Sequence, residues 1–182
     1  MQKNDPLIRT KLYQPFTPQK LVSRPRLQNL ITESLRVNPL TLVIAPAGFG
    51  KTTLVAASLA EYDVQVAWLS IERADNQVRR FLAYLIAALQ NADDRIGREA
   101  DQLTTGIHQV VTEVVLTSLI NEIDHLSQDI VLVLDDFQYI SDQEVLSAVA
   151  FLLDHCPRSF HLLIATRSDP LIQLSRLRAR GQ

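Results

Sequence analysis

At 182 residues the chain has the length of one ordinary domain, and 47% apolar against 21% charged residues is the balance of a soluble globular protein. Its 18 basic and 20 acidic side chains leave a net charge of −2, which excludes a global field drawing it to nucleic acid or an anionic membrane. The single cysteine, Cys156, excludes an internal disulfide framework, and the scattered histidines, with no i, i+4 helical pair, argue against zinc.

Cys156 lies in an apolar stretch and reads as an inert core thiol. The N-terminus has no apolar signal region and the apolar runs are strand-sized, so a cytoplasmic protein without membrane contact is expected. Residues 1–20, with Pro6, Pro15 and Pro18, read as an extended lead-in to one domain over 21–182. A helix is predicted from about Ser23, with Pro25 in its first turn and Leu27, Leu30, Ile31 and Leu35 on one face. Leu40–Ile44 then reads as a strand buried on both faces.

A helix follows from the loop at 45–52 to about Tyr62, and then a strand over Gln65–Ser70. Asp75 or Asn76 is expected to cap the next helix, whose Val78, Phe81, Leu82, Leu85, Ile86 and Leu89 keep the 3.6 period. Residues 91–108 read as a loop and 109–126 as a helix, followed by a strand over 130–134. Ser141 and Glu144 have capping-box spacing ahead of a helix, residues 160–165 form a strand, and a last helical piece is expected over 171–180. Asp93-Asp94 and Arg79-Arg80 read as surface. Strands alternating with helices predict βαβ units, hence an α/β fold of three layers around a parallel sheet. The chain stops in a helical segment, so the sheet is expected to lack a fifth strand.

Ala45-Pro46-Ala47-Gly48-Phe49-Gly50-Lys51-Thr52-Thr53 carries the strongest chemical signal. It keeps the spacing of a phosphate-binding P-loop, with Ala45 where the pattern has its first glycine. Gly48 and Gly50 permit backbone turns that aim N–H groups inward as a nest for phosphate oxygens, at the positive end of the following helix. Lys51 can reach the β- and γ-phosphates, Thr52 can ligate Mg²⁺, and Thr53 can bond nearer the α-phosphate. Asp135 and Asp136 end an apolar strand, where a carboxylate is costly unless solvated or paired with a cation. Asp135 is the candidate Walker-B Mg²⁺ ligand and Asp136 the candidate for preparing the attacking water; the plain alternative is a strand end turning into solvent. Arg167, after Leu162-Leu163-Ile164-Ala165-Thr166, either reads the γ-phosphate or is a surface arginine. The absence of Asn-Lys-x-Asp favours ATP over GTP. Arg176, Arg178 and Arg180 form either a nucleic-acid patch or a solvated helix face.

Beyond the loop, the marks Thr10-Lys11-Leu12, Leu21-Val22-Ser23-Arg24-Pro25-Arg26-Leu27, Trp68-Leu69-Ser70, Leu134-Asp135-Asp136-Phe137 and Leu177-Arg178-Ala179-Arg180 span nearly the whole chain. With them the sequence resembles the nucleotide-binding domain of the MalT-like bacterial transcriptional activators, of the signal-transduction ATPases with numerous domains (STAND). The resemblance implies a slow ATPase working as a switch: ADP-bound at rest, self-associating when ATP-bound. It also implies that Val22 and Arg24 lie against the adenine. Inducer and DNA contacts would belong to further C-terminal domains ending in a LuxR-type helix-turn-helix. The rivals are an AAA-type ATPase performing mechanical work and a truncated fragment that binds nucleotide weakly or only contacts partners.

Overall fold

The computed structural model describes residues 6–16, 22–100 and 112–172. Four strands, β1 (Leu40–Ile44), β2 (Gln65–Ser70), β3 (Ile130–Asp135) and β4 (Phe160–Thr166), form one sheet in the order β1-β4-β3-β2. Every pairing is parallel. Ile44 pairs with Thr166 and Ser70 with Asp135, so four strand ends meet along one edge.

Side chains alternate across the two central strands, and that alternation makes the layers. Leu132 and Leu134 of β3 join Leu162 and Ile164 of β4 under α3 (Val78–Ala92), α4 (Thr112–Asp124) and α5 (Gln143–His155), which supply Phe81, Leu85, Leu119 and Val149. Val131, Val133 and Leu163 face the other way, onto Ile31 and Leu35 of α1 (Pro25–Val37) and Val55, Ala56 and Leu59 of α2 (Lys51–Ala60). The expected three-layer α/β architecture is the one observed. No helix among the described residues is long and apolar enough to cross a membrane.

β3 and β4 are buried along their whole length, as continuous apolar runs require. β1 is not, contrary to expectation: among the described residues it pairs with β4 alone, and Ile44 is 42% exposed. An edge strand and a central strand of five mostly apolar residues look alike in sequence.

The lead-in also differs from an extended segment. Arg9–Leu12 is a 3-10 turn in which Lys11 and Leu12 are buried. The Lys11 ammonium pairs with Asp75 and lies 4.0 Å from the centre of the Tyr84 ring, while the Ile8 N–H donates to the Tyr84 hydroxyl at 3.1 Å. Asp75 therefore does not cap α3, whose N-cap Gln77 makes no side-chain bond. Arg80, expected on the surface, bonds the same carboxylate. Asp93 is buried too, where Arg95 and Gln65 donate to it.

The cap of α5 is Asp142 and not Ser141: its Oδ1 accepts from the Glu144 and Val145 N–H groups at 2.9 and 3.1 Å. The N–H groups of Ser141 and Asp142 donate instead to Asn76 Oδ1. Cys156 stands at the C-cap of α5, half-buried, and burial pushes its thiol up to about 11, so it is protonated at neutral pH. Leu171 and Ile172 are not helical; the remainder of the predicted last helix, with Arg176, Arg178 and Arg180, lies outside the described residues.

Candidate nucleotide-binding site

The loop between β1 and α2 turns on two glycines. Gly48 and Gly50 have φ of 80° and 79°, the left-handed region that side chains disfavour. Gly50 is the N-cap of α2 and brings no side-chain cap, so the first N–H groups of the helix have no side-chain acceptor. The loop is tied down at its start, where the Ala45 N–H donates to the Thr166 carbonyl at 3.2 Å. Pro46, Ala47, Gly48, Phe49 and Gly50 are exposed and line the mouth of the site.

Lys51 opens α2, and although it is 8% exposed its ammonium pairs with no carboxylate among the described residues. It donates to the carbonyls of Ala45 (2.8 Å) and Pro46 (3.3 Å), curling back over the loop. One residue on, the Thr52 hydroxyl donates to Asp135 Oδ2 at 2.8 Å, joining α2 to the end of β3. The other carboxylate oxygen, Oδ1, accepts from the Asp136 N–H at 3.0 Å. Burial is the main influence on Asp135 and raises its pKa above the ordinary carboxylate value. The negative Asp136 adds to the rise, while the Thr52 hydroxyl and Lys51 oppose it.

Thr52 and Asp135 are hard oxygen donors, the kind Mg²⁺ takes. Their 2.8 Å separation is close to the edge of an octahedron with metal–oxygen distances of roughly 2.0–2.1 Å. No cluster of three or more His, Cys, Asp or Glu side chains suited to a metal occurs among the described residues. Such a pair suits an ion shared with substrate phosphates better than one held in an all-protein cage.

Asp136 sits just past the strand in the left-handed region, with φ 57° and ψ 39°. It caps a 3-10 turn, Phe137–Tyr139, and that turn returns Gln138 to it: Gln138 Nε2 donates to Asp136 Oδ1 at 2.7 Å. The sequence reading passed over Gln138, and its only signal there is a polar side chain two residues beyond Asp136.

Arg24 reaches the loop, and Val22, largely exposed, lines a cavity beside it. The Arg24 guanidinium donates to the Phe49 carbonyl at 3.3 Å. A cavity of about 260 Å³ is lined by Val22, Arg24, Gln28, Gly50, Thr53, Leu54 and Ala57. A larger one of about 490 Å³, mostly apolar, opens between α1, β1 and the loop, with Arg24, Leu27, Ile31, Val43, Phe49 and Lys51 on its walls. Arg167 follows β4 on the same sheet edge; it is exposed and makes no hydrogen bond or ion pair among the described residues. The structure thus gathers Lys51, Thr52, Thr53, Asp135, Asp136, Val22 and Arg24 around one loop and gives Arg167 no hydrogen bond or ion pair to them.

Known proteins resemble this chain in sequence and in fold. The sequence profile of the AAA ATPase domain matches residues 23–165. Over 176 residues, 97% of this chain, the sequence is 33% identical to the HTH-type transcriptional regulator MalT of Yersinia pestis (strain Pestoides F) and 35% identical to that of Serratia proteamaculans (strain 568). The match covers 19% of each relative, so the chain spans about a fifth of their length. Among solved structures, Cdc6p from Pyrobaculum aerophilum superposes with a TM-score of 0.58 at 16% identity, over 90% of this chain and 44% of that one. A Walker-type ATPase of Pyrococcus abyssi gives 0.52 at 19% identity, over 84% and 47%. At such identities the likeness is one of fold. The profile match covers well over half of the sequence, and on that ground the chain belongs to the AAA ATPase domain family.

Proposed function

We propose that this domain binds Mg·ATP, hydrolyses it slowly and serves as the nucleotide switch of a MalT-like, cytoplasmic transcriptional regulator. The observation that carries the proposal is the 2.8 Å contact between Thr52 and Asp135 beside a glycine-bent loop whose lysine makes only neutral contacts. In this reading the loop N–H groups and the start of α2 hold the phosphates. Lys51 leaves the Ala45 and Pro46 carbonyls for the β- and γ-phosphates. The adenine lies by Val22 and Arg24, and Thr53 bonds nearer the α-phosphate. Thr52 and Asp135 would hold Mg²⁺, which when bound would neutralise charge on the phosphate oxygens. Asp136 prepares a water whose oxygen bonds to the γ-phosphorus as the bond from that atom to the bridging oxygen breaks. ADP and phosphate are released, and the water's proton passes through Asp136 to solvent. Arg167, exposed just past β4, senses the γ-phosphate.

Control by an inducer, DNA binding and self-association in the ATP state are proposed for a longer protein of the regulators' architecture, of which this chain supplies the nucleotide part. Calorimetric titration with Mg·ATP tests the core of the reading. Lys51→Ala removes one or two charge-assisted bonds of about 1.5–3 kcal/mol each, so affinity should fall at least roughly tenfold. Equal affinity in parent and variant would sink the assignment. Slow release of ADP distinguishes the switch from an ATPase performing mechanical work, which would turn over continuously.

A further inference from the structure

Two local costs fall on neighbouring residues beside Asp135. The first is the backbone of Asp136, the one non-glycine residue with positive φ among those described. Aspartate tolerates that region better than most residues, yet it remains a sparsely used conformation that persists only where the surroundings hold it. The second is the side chain of Gln138. Its amide N–H reaches Asp136 Oδ1, while its carbonyl Oε1 is buried with no hydrogen-bond partner among the described residues. A buried acceptor without a donor is unfavourable, and an amide usually turns to avoid it. Here it cannot turn, because an ionised carboxylate only accepts, and the reverse orientation would set two acceptors face to face.

Both costs act on one group. The left-handed turn at Asp136 takes the chain off the strand, and the 3-10 turn returns Gln138 to grip one oxygen of the Asp136 carboxylate. The other oxygen, Oδ2, takes no hydrogen bond from the described residues, so the carboxylate is fixed in direction with one face free. A proton acceptor works best when it is held in line with the proton it receives, and fixing it beforehand spares the step a reorganisation.

We propose that Gln138 is a positioning residue for nucleotide hydrolysis, orienting the Asp136 carboxylate so that its free oxygen faces the attacking water. This rests on the reading of Asp136 as the group that prepares that water. Gln138 acts through Asp136, so its removal slows the chemical step and leaves nucleotide affinity alone.

The test is single-turnover hydrolysis at saturating Mg·ATP, with ATP affinity and melting temperature measured on each variant. Asp136→Asn should slow hydrolysis by about 100-fold or more. Gln138→Met keeps the length of the side chain but removes the donor; it should slow hydrolysis roughly tenfold with affinity within about twofold of the parent. Gln138→Asn keeps the amide but falls one methylene short of Asp136; it should behave like Gln138→Met, and replaces it in the test if the methionine variant does not fold. The double variant Asp136→Asn with Gln138→Met should be no slower than Asp136→Asn alone, because the path from Gln138 to the chemistry is already cut. Parent-like hydrolysis by Gln138→Met beside a slow Asp136→Asn overturns the role of Gln138 only. So does a further tenfold loss in the double variant. Parent-like hydrolysis by Asp136→Asn removes the reading of Asp136 and the inference with it.

Discussion

Two aspartates near one edge of the sheet are almost wholly buried, and the protein treats them in opposite ways. Asp75, with no exposure at all, is matched by Lys11 and by Arg80, and accepts the Glu72 N–H as well. Among the described residues Asp135, 3% exposed, accepts hydrogen bonds only from neutral donors, the Thr52 hydroxyl and the Asp136 N–H, with the like-charged Asp136 beside it and Lys51 acting on it only through space. The buried lysines divide in the same way: Lys11 pairs with a carboxylate, whereas Lys51 rests on two carbonyls. A carboxylate whose charge is answered within the protein serves the fold. One left with neutral partners weakens the fold, and in the proposed function its charge is answered by a bound cation.

Breaking the first pair should have the largest effect. Lys11→Met leaves Asp75 buried with Arg80 as its remaining salt-bridge partner, and breaking a buried pair from one side costs about 3–5 kcal/mol. That is a large part of the stability of an ordinary domain, so urea unfolding should shift to much lower denaturant. A loss below about 1 kcal/mol would mean that the pairing does not hold the lead-in against α3.

Asp135→Asn should do the reverse. The folded state raises the pKa of Asp135, so its ionisation costs stability progressively as pH climbs above the ordinary 3.8. Removing the charge should therefore stabilise the nucleotide-free protein at neutral pH, by a few degrees in melting temperature for a gain of about 1 kcal/mol. The gain should vanish in acid, where the carboxyl is protonated in both states. The same substitution should weaken Mg²⁺-dependent ATP binding. A variant that melts earlier than the parent at pH 7 would place Asp135 with Asp75, as a structural group.

The same division explains what the sequence disclosed. The strands, the glycine-bent loop and Asp135 were legible because each is a local pattern: an apolar run of fixed period, or a residue set at fixed spacing between a strand and a helix. Lys11 and Asp75 stand 64 positions apart, and no periodicity joins them, so the lead-in read as a plain extended segment. The edge position of β1 depends on which strands pair, which its own residues do not specify. At α5 the cap is Asp142, one residue past the Ser141 that the spacing favoured, and Asn76, from another part of the chain, accepts the N–H groups of both. Gln138 was missed because its meaning arises only when the turn after Asp136 folds back.

Asp93 was also misread, as a surface charge, and it offers a third, milder way to test the comparison. It is buried like Asp135 but paired like Asp75, with a partner that reaches solvent: the Arg95 side chain is 56% exposed. Side-chain hydrogen bonds from Arg95 hold its carboxyl well below the ordinary range, and burial, which acts the other way, is outweighed. The Arg95 N–H and Gln65 Nε2 assist, so this one carboxylate ties the end of α3 to the turn after it and to the start of β2. A depressed pKa contributes stability above the unfolded value of 3.8 and loses it as pH falls through that value toward the folded one. Asp93→Asn keeps the shape and removes the charge. Because Arg95 is solvated, the cost at neutral pH should be about 1 kcal/mol, below the range for a charged bond in the interior. The gap between parent and variant in urea unfolding should narrow as pH drops below 4 and largely close in strong acid. A gap that stays constant with pH would mean that Asp93 acts through hydrogen-bond geometry alone, and that pairing by an exposed arginine does not make a buried carboxylate a stabilising charge.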